Sequence, residues 1–449
     1  MLCATAAGSL LYSPPAAYCN PNSKFPCLSS RISSFILNSP KRWRCRASLI
    51  TTSDSFEVGA LVGSYGFMNV TRFQSGSELS YSPMDLQQLK VQDVGEGSFK
   101  IKLYEGRVAQ GSQRGTPVLF KVYPGQRAGG IEADMMAANE LSAHSSLQSS
   151  AEGICKNLVH LIGGFETKTG EQWLAFRNHG KYSAADYAAL TSKRISQGSS
   201  SREKSWNSFQ QQKDMEYRRY FVIRILQGAI SGLAFMHDHD RLHQSLGPSS
   251  LLLNTISEKD AGYLIPRLRD LTFSVDMSFD SISNLEGART LSESLWRRAT
   301  AAGAFTALEK RAFGIADDIC FCIDMQQVCF WHTWRSFHSV KQVSWIAFLC
   351  RYKNSCVLSS SLTHHLGSCS FVDPFICPQR LLENTFKLDL EATREYCLAD
   401  DRLEEAVKFL DIGNRSGWEL LQAMLNPDFR QRPTAKAVLN HSFMSGSLL

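Results

Sequence analysis

The sequence predicts an α+β fold in which a small strand-rich part precedes a larger helical part. Three short runs at residues 89–94, 100–107 and 117–122 have the length and the flanking turn residues of strands. Helical apolar patterns follow at residues 131–147 and, over a longer stretch, at 217–237. With 43% hydrophobic and 20% charged residues, the chain can bury a sizeable core, and disorder is excluded for most of it.

Each remaining part of the chain fits this order of strands before helices. Two further strands are predicted at residues 158–165 and 172–176, and helices are expected over the last hundred residues. Residues 192–214 are polar and Ser-rich, which predicts a flexible loop. Residues 47–87 are rich in Ser and Gly with little periodicity, and we expect them to form a flexible extension ahead of the folded domain.

The first 46 residues differ in composition from the rest of the chain. They contain six basic residues and no acidic one, are rich in Ser and small residues, and end in a basic cluster at residues 41–46. A secretory signal would place its basic residues before an apolar stretch, whereas here they come last. Residues 1–46 are therefore expected to be a plastid transit peptide that is cleaved near Arg46. Mitochondrial import and a plain disordered tail are the alternatives.

Charge and hydropathy exclude two further classes of function. The chain has 48 Lys and Arg residues, and six of them lie in the N-terminal segment. The remaining 42 equal the number of Asp and Glu residues, which is also 42. This balance gives no support for nucleic-acid binding. The longest apolar runs, such as residues 343–350, are far shorter than the ~18 residues that span a bilayer. No transmembrane segment is predicted, and the body is expected to be soluble or peripheral to a membrane.

Residues 321–378 look foreign to their surroundings. Seven of the 13 cysteines lie between Cys320 and Cys377, and the segment carries three Trp, four His and only two acidic residues. Neither a helical nor a strand period persists in it, and no Cys-x-x-Cys pair supports a zinc site. The favoured interpretation is sequence that selection did not shape, such as a retained intron read in frame. A metal-binding insert and a genuine insertion stay open.

Four residues of the strand-rich part have the chemistry of a phosphate-binding site. Gly95 and Gly97 stand in a predicted strand–turn–strand, where glycine lets backbone N–H groups approach phosphate oxygens. Lys121 lies on the third predicted strand among apolar neighbours. Nineteen residues later, Glu140 lies on the first predicted helix, a spacing that allows it to neutralise and orient Lys121. Each signal alone is weak, because a lone strand lysine is usually solvated.

Taken in order, the motifs resemble those of protein kinases. Residues 225–237, followed by Leu-His-Gln-Ser-Leu-Gly-Pro-Ser-Ser-Leu-Leu-Leu at 242–253, resemble the helix and catalytic loop of the family. Leu-Arg-Asp-Leu-Thr at 268–272 stands where the family has Asp-Phe-Gly. Ala-Asp-Asp-Ile at 316–319 resembles the start of its central large-lobe helix, and residues 417–434 resemble its last motif.

The resemblance implies a two-lobed protein-kinase-like fold over residues 88–444. It places the small N-lobe at 88–177 and the large helical C-lobe at 178–444, which the segment 321–378 interrupts. By the same resemblance, Gly95, Gly97 and Lys121 contact the phosphates of ATP, Glu140 orients Lys121, and Asp270 holds Mg²⁺.

Several positions depart from the family pattern. The catalytic base position holds Ser245 in place of Asp, the catalytic-loop lysine is replaced by Gly247, and the asparagine that holds a second metal ion is replaced by Ser250. Thr272 and Lys100 replace glycines, and no Ala-Pro-Glu ends the activation segment. Losing a positioned base costs on the order of 10²–10⁴ in rate. Losing the cations as well removes charge stabilisation from the transferring group.

These observations predict a chloroplast protein, stromal or peripheral to the thylakoid, that binds ATP and Mg²⁺ but transfers phosphate poorly or not at all. Its role would be that of a regulatory or scaffolding pseudokinase, with unidentified plastid proteins as partners. The alternatives are an active atypical Ser/Thr kinase acting on plastid proteins and a chain made non-functional by its interrupted C-lobe. A metal cluster formed by His237, His239 and His243 is a further, weaker hypothesis.

Overall fold

The structure of the chain is a computed structural model. It describes residues 49–67, 92–93, 100–150, 153–198, 208–283, 292–334, 389–399 and 404–445. Over these residues the chain forms an antiparallel sheet and a set of helices, which confirms the predicted α+β class. Residues 1–46, Gly95 and Gly97 lie outside the described residues, as does most of the segment 321–378.

The main sheet has six antiparallel strands in the order β2-β1-β3-β4-β6-β5. The bounds of these strands are β1 Phe56–Phe67, β2 Gln92–Asp93, β3 Lys100–Val108, β4 Pro117–Tyr123, β5 Leu161–Glu166 and β6 Gln172–Arg177. The predicted strands at 100–107, 117–122, 158–165 and 172–176 are thus present within a few residues at either end. The central strand β4 is buried along most of its length, which suits its run of branched and aromatic residues.

Strand β1 corrects the expectation that residues 47–87 form a flexible extension. Residues 56–67 instead form a strand, and this strand pairs with the whole length of β3. Two register shifts, between Val58 and Leu61 and between Leu61 and Gly63, break the alternation of the strand. Such bulges hide the period-2 pattern by which a strand is found in a sequence.

The predicted first strand, at residues 89–94, also lies elsewhere than expected. Its described part, β2, pairs with residues 66 and 67 at the end of β1, and the neighbour of β3 on that side is β1. Among the described residues, β2 therefore does not pair with β3 in the way that the predicted strand–turn–strand implied. Residues 89–94 are the nearer neighbour of β3 in sequence. The more distant β1 nevertheless pairs with β3, because it offers a longer strand for pairing.

The described residues form three helices of more than twenty residues and eight shorter ones. The helices are α1 Gln126–Gln148, α2 Ala184–Gly198, α3 Ser208–Asp238, α4 Phe279–Ser283, α5 Glu293–Ala301, α6 Ala307–Trp334, α7 Leu390–Leu398, α8 Glu404–Leu410, α9 Ile412–Met424, α10 Ala435–Leu439 and α11 Ser442–Ser445. Five two- or three-residue strands accompany them: β7 Tyr182–Ser183, β8 Arg241–Leu242, β9 Leu251–Leu253, β10 Arg267–Leu268 and β11 Val275–Asp276.

Helices α2 and α3 replace most of the loop predicted at residues 192–214. The first runs to Gly198 and the second begins at Ser208, so only residues 199–207 lie between them, outside the described residues. The polar, Ser-rich composition of residues 192–214 is typical of a loop. Lys, Arg, Gln and Glu are good helix formers, however, and polar residues suit solvent-facing helix ends.

Helix α3 lies at the centre of the largest core cluster. Its residues Phe221, Ile225 and Leu233 are fully buried. Residues Gln212–Asp238 are long and apolar enough to cross a membrane by length and composition, but 72% of the apolar window is buried inside the protein. A buried core helix passes the same test, so this finding is weak evidence for a membrane span.

Helix α6 corrects part of the interpretation of residues 321–378. We expected the helical pattern to break soon after Ile319, but the helix continues without interruption to Trp334. Residues 321–334 contain neither Gly nor Pro, and so nothing in their backbone chemistry ends a helix even though their apolar residues follow no regular period. Residues 335–388 lie outside the described residues.

Candidate functional site

Three charged side chains that the sequence analysis selected are in contact with one another in a buried position beside strand β4. Lys121 of β4 is 5% exposed, and its Nζ donates hydrogen bonds to both carboxylate oxygens of Glu140 on α1, at 2.8 and 2.7 Å. The same Nζ lies 2.8 Å from Oδ1 of Asp270. The fold therefore brings together residues 19 and 149 positions apart in the chain.

Electrostatics keep Lys121 charged despite its burial. Burial by itself would lower the pKa of its ammonium, but the carboxylates of Asp270 and Glu140 outweigh that effect and raise the pKa well above its usual value. Charges with so little solvent contact are costly unless they are paired and hydrogen-bonded. Here Lys121 contacts two carboxylates, of which Asp270 also pairs with Arg269, and the Lys121 ammonium is a cationic donor held in place beside the cleft.

Two hydroxyl groups hold Glu140 on its other side, and sequence reasoning missed both roles. The hydroxyl of Tyr123 donates to Oε2 of Glu140, and the oxygens of Tyr123 and Thr272 lie 2.9 Å apart. Tyr123 is two positions beyond Lys121 on β4, so the two side chains lie on the same face of the strand. This spacing is the feature of the sequence that could have placed Tyr123 beside Lys121. Burial, reinforced by Glu140, raises the pKa of Tyr123 well above its usual value, so it remains a donor.

Thr272 stands where the family resemblance led us to expect a glycine. Its hydroxyl lies 3.4 Å from Oε2 of Glu140, and its main-chain oxygen accepts a 2.7 Å bond from Nδ2 of Asn139. The same Asn139 amide donates to the main-chain oxygen of Ser274 at 2.8 Å. The segment after Asp270 is therefore tied directly to helix α1.

Asp270 has a left-handed backbone, with φ 65° and ψ 53°, which is uncommon for a residue other than glycine. Its Oδ1 accepts from Lys121 and, at 3.0 Å, from the hydroxyl of Tyr65, while its Oδ2 lies 3.3 Å from Nε of Arg269. Its main-chain oxygen accepts a 3.2 Å bond from Ser245. A non-glycine residue held in this conformation by its surroundings is typical of a functional position.

The three positions that lack the expected catalytic groups lie on one short loop. Ser245 is half-buried and contacts Asp270 through its hydroxyl. Ser250 is buried, and its hydroxyl donates to the main-chain oxygen of Gly247 at 2.7 Å while accepting from the N–H of Gly247 at 2.9 Å. Their side chains thus stabilise the local turn, and none of them supplies a carboxylate or a cation.

Asp318 of α6 holds this loop in place, a role that sequence reasoning did not assign. Its carboxylate accepts the backbone N–H groups of His243 and Gln244, at 2.7 and 2.9 Å, and a bond from Nε2 of His237 at 3.1 Å. The His243 ring in turn donates to the main-chain oxygen of Arg269 at 3.0 Å. One fully buried carboxylate therefore positions the residues that flank Ser245 and, through His243, those before Asp270.

A cleft of about 440 Å³, measured with its open mouth, lies in front of the charged cluster. Apolar side chains form its walls, and Lys121, Glu140 and Asp270 form its polar end. Small-molecule sites are likewise mostly apolar with a few placed polar groups. The remaining lining residues are Tyr65, Leu103, Leu119, Val159, Phe176, Arg177, Asn178, Gly180, Leu252 and Arg269.

Metal clusters are absent among the residues that the structure describes. No group of three His, Cys, Asp or Glu side chains is placed there to hold an ion. His237 and His243 contact Asp318 and its loop, while His239 bonds the main-chain oxygen of Phe235. The hypothesis of a histidine metal cluster is therefore wrong. Asp270 is the carboxylate that lies at the cleft beside Lys121 and Glu140.

Comparison with known proteins gives no family for this chain. No protein-family model matches it, and no curated protein matches it either.

Proposed function

We propose that the chain is a protein kinase superfamily member that binds ATP in this cleft and transfers phosphate poorly or not at all. The observation that carries the proposal is the buried contact of Lys121 with both Glu140 and Asp270 at the polar end of an apolar cleft. It joins the lysine, the glutamate and the aspartate that the motif order had selected for phosphate and metal binding.

The chemistry of the cleft supports a nucleoside triphosphate as its ligand. Leu103, Val159 and Leu252 are among the apolar side chains that line the cleft, and such side chains suit the faces of a planar base. Lys121 supplies a cationic donor for phosphate oxygens, and Glu140 keeps it oriented. Magnesium would enter with the phosphates and take Asp270 as its protein ligand; it would neutralise phosphate charge.

Weak or absent phosphoryl transfer follows from the loop beside Asp270. Ser245 cannot act as a carboxylate base, Gly247 offers no cation, and the hydroxyl of Ser250 is bonded to the backbone of Gly247. Catalysis of phosphoryl transfer depends on positioning and on cations around the transferring group. We therefore assign the protein a regulatory or scaffolding role, with plastid proteins as partners. The acid-free N-terminal segment leads us to place it in the chloroplast, in the stroma or on the thylakoid surface.

Calorimetric titration with ATP and Mg²⁺ tests the binding proposal. We expect saturable binding by the wild type and a loss of affinity of at least about tenfold for Lys121→Met, because a charged hydrogen bond to phosphate is removed. Lys102→Met is the matched control, since Lys102 lies on the neighbouring strand β3 and is exposed. Circular dichroism must show that each variant is folded. Equal affinity of all three proteins would contradict the proposal.

A phosphate-transfer assay with labelled ATP tests the proposal that phosphoryl transfer is weak or absent. The wild type should show no transfer above that of an Asp270→Ala control, either to itself or to plastid extract. The triple variant Ser245→Asp, Gly247→Lys, Ser250→Asn should gain activity if the rest of the site is intact. Robust wild-type turnover that disappears in Asp270→Ala would instead favour an active atypical Ser/Thr kinase.

A further inference from the structure

Tyr65 of β1 reaches into the polar end of the cleft from a strand that the sequence had not predicted. Its hydroxyl donates to Oδ1 of Asp270 at 3.0 Å across 205 residues of chain. Its ring centroid lies 5.7 Å from Nζ of Lys121. The ring packs against the apolar cluster between α1 and the sheet, which includes Ile101, its direct partner on β3.

This position conflicts with the proposed place of the phosphates. A phosphate oxygen must come within about 3 Å of Lys121 Nζ to accept its hydrogen bond. Tyr65 lies over the same Nζ and shares Oδ1 of Asp270 with it. Among the described residues, Val159 and Leu252 of the apolar lining belong to other parts of the chain, and Tyr65 is the residue of β1 that lines the cleft.

We propose that Tyr65 is an intramolecular gate that occupies the phosphate end of the cleft, so that a nucleoside enters without moving it while ATP binds only when Tyr65 withdraws. The inference rests on the proposed ATP-binding function and adds its regulation. Tyr65 then decides whether the cleft takes a nucleoside or a nucleoside triphosphate.

The way β1 is held is compatible with such a movement. The strand pairs with β3 through two register shifts just before Tyr65, and Val58, Leu61 and Val62 are exposed. Little apolar burial therefore holds residues 58–62 in place, just before the pairs that residues 63–66 form with β3. Burial and the nearby Asp270 raise the pKa of the Tyr65 phenol, so it stays a neutral donor at physiological pH. Phosphates and magnesium carry more charge than this phenol and can compete with it for Lys121 and Asp270.

The test compares adenosine and ATP as ligands of the wild type, Tyr65→Ala and Tyr65→Phe, by calorimetry. If the gate is closed about nine-tenths of the time, its removal raises the apparent affinity for ATP about tenfold. Tyr65→Ala should therefore bind ATP about tenfold more tightly and adenosine with unchanged affinity. Tyr65→Phe keeps the ring but loses the hydrogen bond, and it should lie between. Leu61→Ala, an exposed site on the same strand, should match the wild type.

The outcomes separate the gate from the binding site. Equal ATP affinity in the wild type and Tyr65→Ala, with ATP still bound, would overturn the gate and leave the proposed function standing. Weaker ATP binding by Tyr65→Ala would make Tyr65 part of the binding site and also overturn the gate. If no protein in the series binds ATP or adenosine, both the gate and the proposed function fail.

Discussion

At the scale of single residues, Lys121 shows what separates a buried ion pair from an exposed one. Lys121 and Glu140 are joined by two hydrogen bonds inside the protein, and Arg107 and Glu57 by two of similar length on its surface. Removing one member of a buried pair strands a charge away from water, whereas exposed ions are readily solvated again.

We therefore expect Lys121→Met to lower the free energy of unfolding by about 3–5 kcal/mol, because buried Glu140 loses its cation and Asp270 keeps only Arg269. Arg107→Met, the matched control on the exposed pair, should leave it almost unchanged. Urea denaturation of the two variants and the wild type gives the comparison. Similar losses in both variants would mean that the Lys121 cluster is not buried as described.

His144 on α1 predicts how stability depends on pH. It is 1% exposed and packs edge-on against Phe176, with ring centroids 5.1 Å apart. Burial, aided by Lys121, lowers its pKa to about 3, from about 6.5 in the unfolded chain. The folded protein keeps His144 neutral while the unfolded chain takes up a proton below pH 6.5, so its contribution to stability is present above that pH and is lost as pH falls toward 3.

The contribution of His144 sets how steeply the free energy of unfolding changes with pH. Between pH 6 and 4, His144 should contribute a loss approaching about 1.4 kcal/mol per pH unit to the free energy of unfolding. His144→Leu should remove that part of the slope, which urea titrations of both proteins over this range would measure. Identical slopes would show that His144 takes up a proton as readily in the folded protein as in the unfolded chain.

The residues of the site were only partly predictable. Lys121, Glu140 and Asp270 were found because each belongs to a motif with a defined order and spacing. Tyr65 and Thr272 were missed because their roles arise from contacts 205 and 132 residues apart, which no local pattern encodes.

At the scale of elements, helix α6 positions the loop that carries Ser245. Asp318 accepts the backbone N–H groups of His243 and Gln244, and Gln244 has a left-handed φ of 59°. Each buried donor left without an acceptor costs about 1–3 kcal/mol. The loop conformation therefore depends on one carboxylate that lies 75 residues further along the chain.

Asp318→Ala should reduce the free energy of unfolding by about 3 kcal/mol or more, since at least two buried N–H groups lose their acceptor. Hydrogen exchange at residues 243 and 244 should rise more than exchange in β4. Glu419→Ala, which removes an exposed acidic group from helix α9, is the control and should change neither quantity. Unchanged protection at 243 and 244 would show that another group holds the loop.

The elements that sequence reasoning placed wrongly share a physical cause. Strand β1 contains two bulges, so its side chains do not alternate regularly. Residues 192–198 and 208–214 are polar helix ends that look like a loop by composition alone. Residues 321–334 continue α6 without a regular apolar period. Strands β3, β4 and β6 and helix α1 were predicted well because their patterns are regular.

At the scale of the whole molecule, the order of strands before helices was sufficient to predict the α+β class. The topology of the sheet was not predictable, since the position of β1 between β2 and β3 depends on pairing across chain segments far apart in sequence. The separation of charge along the chain is a second whole-molecule property, because the first 46 residues hold six basic residues and no acidic one, whereas the rest of the chain has 42 of each sign.

That charge separation predicts where the protein is found. Residues 1–60 fused to a fluorescent protein should direct it to plastids, because the segment is basic, Ser-rich and free of acids up to Asp54. Replacing Lys41, Arg42, Arg44 and Arg46 with Glu should abolish import. Diffuse cytosolic fluorescence from the unchanged fusion would contradict the assignment.

The central claim is that Lys121 lies beside the phosphates of bound ATP. Reaction of the folded wild-type protein with an acyl phosphate of ATP, followed by peptide mass mapping, tests it directly because the acyl group passes to the lysine nearest the phosphates. We expect Lys121 to be modified, with the modification suppressed by excess ATP, whereas any modification of the exposed Lys102 is unaffected by ATP. An unmodified Lys121, or modification that ATP does not suppress, would contradict the claim.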